Sequence, residues 1–210
     1  MTPEPEPTDR RTDPAPRMRA EDRRELVLTA ATTVFGERGY VGTTTDAVAR
    51  AAKVSQPYVV RMFGTKEALF LAVLERALRR LVGAFRGAVA ENPDSPPQEM
   101  YQRLGAAYSE LLTDRGLLLS LMHAFVLGSD PEIGRAARRG FLEVYRLLRH
   151  EAGFSATDAN TFLASGMLLN TLIGLRMADD FDDPDVRDLI ECVAPTKAEV
   201  LVRMSRAERI

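Results

Sequence analysis

The chain has 210 residues, 45% of them hydrophobic and 28% charged, with 28 Lys and Arg against 30 Asp and Glu. That is the balance of a folded globular protein, and a net charge of −2 excludes a chain-wide basic nucleic-acid binder, so any DNA contact has to come from a local patch. A single cysteine, Cys192, excludes an internal disulfide framework and a cysteine-based zinc cage, and His123 and His150 alone leave little for a metal or catalytic cluster.

Met1 to Ala20 is rich in Pro, Arg, Asp and Glu and lacks the apolar centre of a signal peptide, so it reads as a flexible arm. No apolar run reaches the length of a membrane span, and the expected location is the cytoplasm, with no membrane partner. From Glu21 the pairs Leu26/Val27, Ala30/Ala31 and Val34/Phe35 make one stripe on one helix, which Gly39 closes. Thr43 stands three residues before Asp46, a capping-box signature that makes Thr43 the N-cap of a short second helix through Val48, Ala49 and Ala52. Lys53-Val54 makes a tight turn. Ser55 is the next N-cap, and Pro57 is tolerated in the first turn of a brief third helix ending near Met62 and Phe63.

Gly64-Thr65 opens a long fourth helix with apolar pairs at Leu69/Phe70, Val73/Leu74, Ala77/Leu78 and Leu81/Val82, then Phe85. Glu91 to Pro97 is a loop by composition. Tyr101, Leu104, Tyr108, Leu111 and Leu112 form the next stripe; Leu117 to Val126 is strongly apolar; Ile133, Ala137, Phe141, Val144, Tyr145 and Leu148 form another, ending at Gly153. Phe162 to Met177 is apolar almost all round and should be buried on more than one side. Asp183-Pro184 caps a helix carrying Val186, Leu189, Ile190 and Val193, and Thr196 with Glu199 is a further capping box. No segment alternates with period two. The expected fold is all-α, a three-helix N-terminal unit joined to a larger helical domain, divided as an arm 1–20, a first domain 21–65 and a second domain 66–210.

A short helix, a tight turn and a second short helix with a polar start is a helix-turn-helix pattern. Hydroxyl residues Thr43, Thr44, Ser55 and Thr65 sit where the second, third and fourth helices begin, and backbone N–H groups there hold phosphates. Lys66 lies in the first turn of the fourth helix, where a cation opposes the dipole; a bound phosphate gives that placement a reason.

At this point the sequence resembles the TetR family of bacterial transcriptional regulators. The resemblance runs from about Arg24 to Leu74, through Ala30-Ala31, Phe35-Gly36-Glu37-Arg38-Gly39-Tyr40, Thr43-Thr44, Val48-Ala49, Ala52, Val54-Ser55 and Phe63-Gly64-Thr65-Lys66-Glu67-Ala68-Leu69. It implies a DNA-binding domain of three helices, a ligand-binding helical domain and a homodimer. One stretch departs: the family usually carries Gly-Thr-Leu-Tyr where this chain has Pro57-Tyr58-Val59-Val60, so Val60 replaces a phosphate-contacting tyrosine and Tyr58 stands two places earlier.

On this reading Gln56 and Tyr58 are the base-edge candidates at the start of the recognition helix, with Pro57 beside them and Arg61 one turn on; Gln bonds adenine in bidentate fashion. Thr43, Thr44, Ser55 and Lys66 position the DNA backbone. Val59, Val60 and Phe63 are assigned to the core. Arg10, Arg11, Arg17 and Arg19 belong to the arm. In the second domain an aromatic-lined pocket is expected from Tyr101, Tyr108, Met122, His123, Phe125, Val126, Phe141 and Tyr145, with Asn170 as a further polar anchor; such a lining fits a mostly apolar or aromatic effector. The dimer interface is placed on Phe162, Leu169, Leu172, Ile173, Leu189 and Ile190, two helices from each subunit forming a four-helix bundle.

No cofactor is expected and no enzyme. Gly36, Gly39 and Gly42 are spaced like part of a phosphate loop, but no strand precedes them, and HExxH, GxSxG and CxxC do not occur. The expected function is a ligand-responsive repressor that binds a palindromic operator of double-stranded DNA as a homodimer. The competing reading is a helical protein-interaction module with a degenerate helix-turn-helix and no DNA binding.

Overall fold

The computed structural model describes residues 19–112 and 114–193, and among these the chain is helical with no strand. The first helix, α1 (Ala20–Gly42), breaks its geometry at Gly39, which has φ 67° and ψ 176°. A left-handed φ is nearly free only to glycine, which is why the helix turns there. α2 (Thr45–Ala51), α3 (Gln56–Phe63) and the long α4 (Lys66–Glu91) follow.

The caps settle one expectation differently. Thr44, not Thr43, is the N-cap of α2, its hydroxyl accepting from the Ala47 N–H at 3.1 Å. Thr43 is fully buried, and its hydroxyl lies 2.7 Å from the Gly39 carbonyl and 3.2 Å from that of Val34. The hydroxyl is committed to carbonyls of α1, so Thr43 closes α1 rather than opening α2. The Lys53 turn closes α2 with Lys53 itself at φ 54°, and Val54 N–H bonded to the Ala49 carbonyl at 3.0 Å.

α4 runs through both halves of the molecule. Near its start Phe70 meets Phe35 of α1 edge-on, ring centres 4.9 Å apart; farther on Phe85 meets Phe162 at 5.7 Å. Around its second half lie α5 (Pro97–Leu111), α6 (Arg115–Val126), α7 (Pro131–Arg146), which ends in a π-helical turn Leu147–Glu151, α8 (Ala156–Gly174) and α9 (Pro184–Val193). Side-chain oxygens of Asp114, Asp130 and Ser155 cap α6, α7 and α8, each cap worth about 1 kcal/mol. Asp183 does the same for α9, accepting from Asp185 N–H at 2.8 Å.

α1 and α6 cross where both carry glycine. A Cβ on Gly36 would lie 2.6 Å from the Gly116 Cα, and one on Gly116 would lie 2.8 Å from the Thr32 carbonyl oxygen. The two backbones touch, and this seam joins the N-terminal unit to the rest of the chain.

The apolar character of α8 has a different cause from the one expected. Phe162, Leu169, Leu172 and Ile173 are buried inside the chain itself, as is Ile190 of α9; of the six residues assigned to a dimer seam only Leu189 reaches the surface. The bulky residues of α8 face inward. Its outward stripe is Thr161, Ala164, Leu168 and Thr171, continued by Leu175, and Leu168 and Leu175 are the large apolar members exposed there. The arm up to residue 18, with Arg10, Arg11 and Arg17, and the Thr196/Glu199 capping box lie outside the described residues.

Candidate nucleic-acid interface and ligand cavity

Between Arg19 and Lys66 the chain carries eight Lys and Arg against five Asp and Glu, so the N-terminal unit is locally basic inside an acidic chain. Glu25 is bound to Arg76, and Asp46 to Arg50, which holds two of those acids in ion pairs. α3 presents its polar start outward. Val59 is fully buried and anchors the helix, while Ser55, Pro57, Val60 and Arg61 are exposed and Gln56 and Tyr58 half-buried.

Val60 corrects its core assignment: it is 38% exposed. Two adjacent valines lie 100° apart around a helix, and a helix of eight residues resting on one neighbour buries only one of them.

The tyrosine that opens α3 is set between cations. The Arg61 guanidinium lies 5.2 Å from the Tyr58 ring centre and that of Arg23 5.9 Å, while Arg24 lies 5.2 Å from the Phe63 ring. Cation–π contacts of this kind are worth about 0.5–1 kcal/mol at exposed sites. Here they gather three positive charges along one edge of the helix. Arg23 and Arg24 are the cations beside α3 that sequence reasoning passed over; their signal, a pair of arginines at the start of α1, carries no information about which helix they will meet.

Gln56 donates from Nε2 to the Thr45 hydroxyl at 3.3 Å, so bidentate use of its amide requires release of that bond. Ser55 occupies the N-cap position with extended backbone, yet its hydroxyl makes no cap hydrogen bond. The reason is local: Pro57 has no N–H to donate, and Tyr58 N–H is bonded to the Ser55 carbonyl at 3.0 Å. Thr65 is the cap of α4, accepting from Ala68 N–H at 3.0 Å.

Lys66 is neither a simple surface lysine nor directed at open solvent. Its Nζ donates to the Tyr40 carbonyl at 3.0 Å and lies 4.5 Å from the Tyr40 ring centre. The ammonium therefore neutralises the carbonyl end of α1, which explains a cation at the start of α4 without any phosphate. Burial raises the Tyr40 phenol pKa, with Glu67 adding to the effect, so the ring stays neutral beneath the ammonium.

In the second half, a cavity of about 60 Å³ lies between α4, α5, α6, α7 and α8. Of the residues expected to line a pocket, Tyr108, Phe125, Phe141 and Asn170 are brought together there. Tyr101 instead packs into an aromatic cluster with Phe154 and Phe162, its hydroxyl 3.3 Å from the Ser165 hydroxyl. Met122 and Tyr145 do not border the cavity, and Val126 points outward, 82% exposed. His123 faces the seam between α1 and α6: a Cβ on Gly39 would lie 3.1 Å from its ring. Helical spacing put these residues on plausible faces but not on the same side of their helices. Sequence reasoning missed Leu78, Leu81 and Phe85, because an apolar stripe on α4 looks the same whether it meets a neighbour or a void.

The cavity holds one polar pair. Tyr108 donates to Asn170 Oδ1 at 2.6 Å, and burial pushes the phenol pKa well above its usual value. Among the described residues no helix is long and apolar enough to cross a membrane.

Residues 27–73 match the family model for bacterial regulatory proteins of the tetR family. The HTH-type transcriptional activator FasR of Mycolicibacterium smegmatis is 38% identical over 91 residues, 43% of this chain and 39% of that protein. The HTH-type transcriptional regulator HbdR of Aromatoleum sp. is 40% identical over 58 residues, 28% of this chain and 25% of that protein. The matched stretches thus span well under half the length of either relative. A TetR-like transcriptional regulator from Rhodococcus sp. RHA1 shares the fold, with a TM-score of 0.64 at 22% identity over 90% of this chain and 96% of its own.

Proposed function

We propose that this chain, whose residues 27–73 match the family model for bacterial regulatory proteins of the tetR family, is a DNA-binding regulator whose hold on its operator is controlled by a small molecule. It acts as a homodimer on an approximate palindrome, with α3 of each subunit in successive major grooves. The observation that carries this reading is the outer face of α3, where Arg61 is exposed and Gln56 and Tyr58 are half-buried, with Arg23 beside the Tyr58 ring and Arg24 beside that of Phe63.

The dimer seam is the outward stripe of α8, with Leu168 and Leu175 exposed, together with Leu189 of α9. The effector site is the cavity lined by Tyr108 and Asn170. Coupling runs along α4, which borders that cavity with Leu78 and Phe85 and reaches the N-terminal domain with Phe70. An effector releases DNA only by its difference in affinity between the two dimer geometries. Repression is the direction we propose; a related protein carries the name of an activator, so the sign is open to measurement.

The test is binding of the purified chain to DNA from its own promoter region across a salt series. Gln56→Ala and Tyr58→Ala should weaken operator binding by about 1–3 kcal/mol each while leaving non-specific binding unchanged. Transcription in vitro from that promoter with added protein then gives the sign. Equal, salt-insensitive affinity for operator and random DNA would favour a protein-interaction module instead.

A further inference from the structure

We propose that the cavity takes an uncharged, mostly apolar molecule with one hydrogen-bond acceptor, such as a ketone, ester or amide carbonyl, which the Asn170 amide N–H group holds. This deepens the effector-site reading above and rests on it.

The lining decides the charge of the occupant. Around the cavity stand Leu, Phe, Val and Met side chains and Gly166, with Tyr108 and Asn170, and no Arg, Lys, His, Asp or Glu. An ionised carboxylate or ammonium placed there would lose its hydration without gaining a counter-charge, which disfavours both signs.

The polar pair decides the hydrogen-bonding sense. The Tyr108 hydroxyl is committed as a donor to Asn170 Oδ1. Asn170 is 5% exposed, and among the described residues its amide nitrogen has no hydrogen-bond partner. No side-chain polar atom sealed from solvent is left unpaired, so that nitrogen must border accessible space. Asn170 is one of the residues that border the cavity, which is the space we assign to this nitrogen. An amide N–H aimed into an apolar cavity is complementary to an acceptor and not to another donor. Tyr108 is a positioning residue: by holding Oδ1 it turns the nitrogen inward.

Size adds a condition. About 60 Å³ is less than the roughly 150 Å³ that admits a benzene ring, so the occupant must open the wall. The wall is soft in the right place, since Met167 and Leu163 are half-buried and Phe141 is 38% exposed, and a methionine side chain reshapes easily.

Three probes of one ring size separate the alternatives: acetophenone with a carbonyl, ethylbenzene with none, and benzoate with a charge. Calorimetric titration of the full chain at neutral pH should show acetophenone binding about five- to tenfold tighter than ethylbenzene, as one buried neutral hydrogen bond provides. Benzoate should not bind at millimolar concentration. Asn170→Leu should abolish the acetophenone advantage while ethylbenzene still binds, and Tyr108→Phe should reduce it. Gly166→Leu, which projects a side chain towards Tyr108, should block both neutral probes and serves where Asn170→Leu does not fold. Benzoate binding as tightly as acetophenone, an unchanged ratio in Asn170→Leu, undiminished binding in Gly166→Leu, or no binding of any probe would each overturn the proposal. DNA affinity measured with and without saturating acetophenone separates the two readings. Selective binding without any effect on DNA keeps the anchor and removes the effector role.

Discussion

The glycine crossing of α1 and α6 makes a quantitative demand on the molecule. A methyl group at Gly116 would stand 2.8 Å from the Thr32 carbonyl oxygen and 3.2 Å from the Thr33 Cα; one at Gly36 would stand 2.6 Å from the Gly116 Cα. Every one of these neighbours is backbone, so no rotamer change relieves the contact and the helices must separate. Overpacking of this kind costs about 1–3 kcal/mol. Gly→Ala within a helix also brings a propensity gain of about 1 kcal/mol, which would mask part of the loss. Gly87 supplies the control: it is exposed on α4 and has nothing within 4 Å of a built Cβ. The difference in stability between Gly116→Ala and Gly87→Ala therefore isolates the clash. At about 2–4 °C per kcal/mol for a chain of this size, Gly116→Ala and Gly36→Ala should melt about 2–12 °C below Gly87→Ala. The same separation tilts the DNA-binding unit against the rest of the chain. Operator affinity measured well below the melting temperature should change in both crossing variants and remain that of the wild type in Gly87→Ala. Crossing variants that melt with the control would show that the two helices are not in contact through these glycines.

Lys66→Met should lower stability by about 1–2 kcal/mol, because it removes a charge-assisted bond to the Tyr40 carbonyl together with a ring contact; wild-type thermal stability with weakened DNA binding would instead make the lysine a phosphate ligand. Lys53→Gly should stabilise the chain by about 1 kcal/mol, since a non-glycine residue at φ 54° is strained, and an unchanged or lowered melting temperature would refute that. With α3 in the major groove as proposed, the exposed Val60 side chain should meet a thymine methyl group. Replacing operator thymines by uracil one at a time should weaken the wild type at one position per half-site and leave Val60→Ala insensitive there. Leu168→Glu should give a folded monomer by sedimentation, whereas Leu169→Glu, at a buried position on the same helix, should unfold; a wild-type monomer at micromolar concentration removes the proposed seam altogether.

Much of the architecture was legible because local chemistry fixed it. Gly39 breaks α1, Lys53-Val54 turns the chain, Asp183-Pro184 starts α9, and each needs only the preferences of one or two residues. The Thr43/Thr44 shift shows the limit of that logic. Both are good caps, and the choice falls to Thr44 because Thr43 is claimed by carbonyls of the preceding helix, a tertiary fact. Lys66 shows the same limit in reverse: its position against the dipole of α4 is visible in the sequence, but the carbonyl it bonds is 26 residues away.

The second half of the chain illustrates why apolar stripes locate a core better than they locate a site. Periodicity says that Phe162, Leu169 and Leu172 are buried, and they are; it does not say by what. A partner subunit and the chain's own α4 and α5 exert the same selection for bulk, so a helix apolar all round assigns itself equally well to either. A polar residue inside such a helix is different, because burying it costs free energy unless a specific partner stands opposite. Asn170 was singled out on that ground, and its oxygen does meet Tyr108, a residue 62 positions earlier that also borders the cavity. His123 met the same criterion and faces Gly39 instead, at the junction with the DNA-binding unit. The criterion therefore marks positions where a specific contact must exist. Only the fold distinguishes a contact beside a cavity, as at Asn170, from one at the seam between α1 and α6, as at His123.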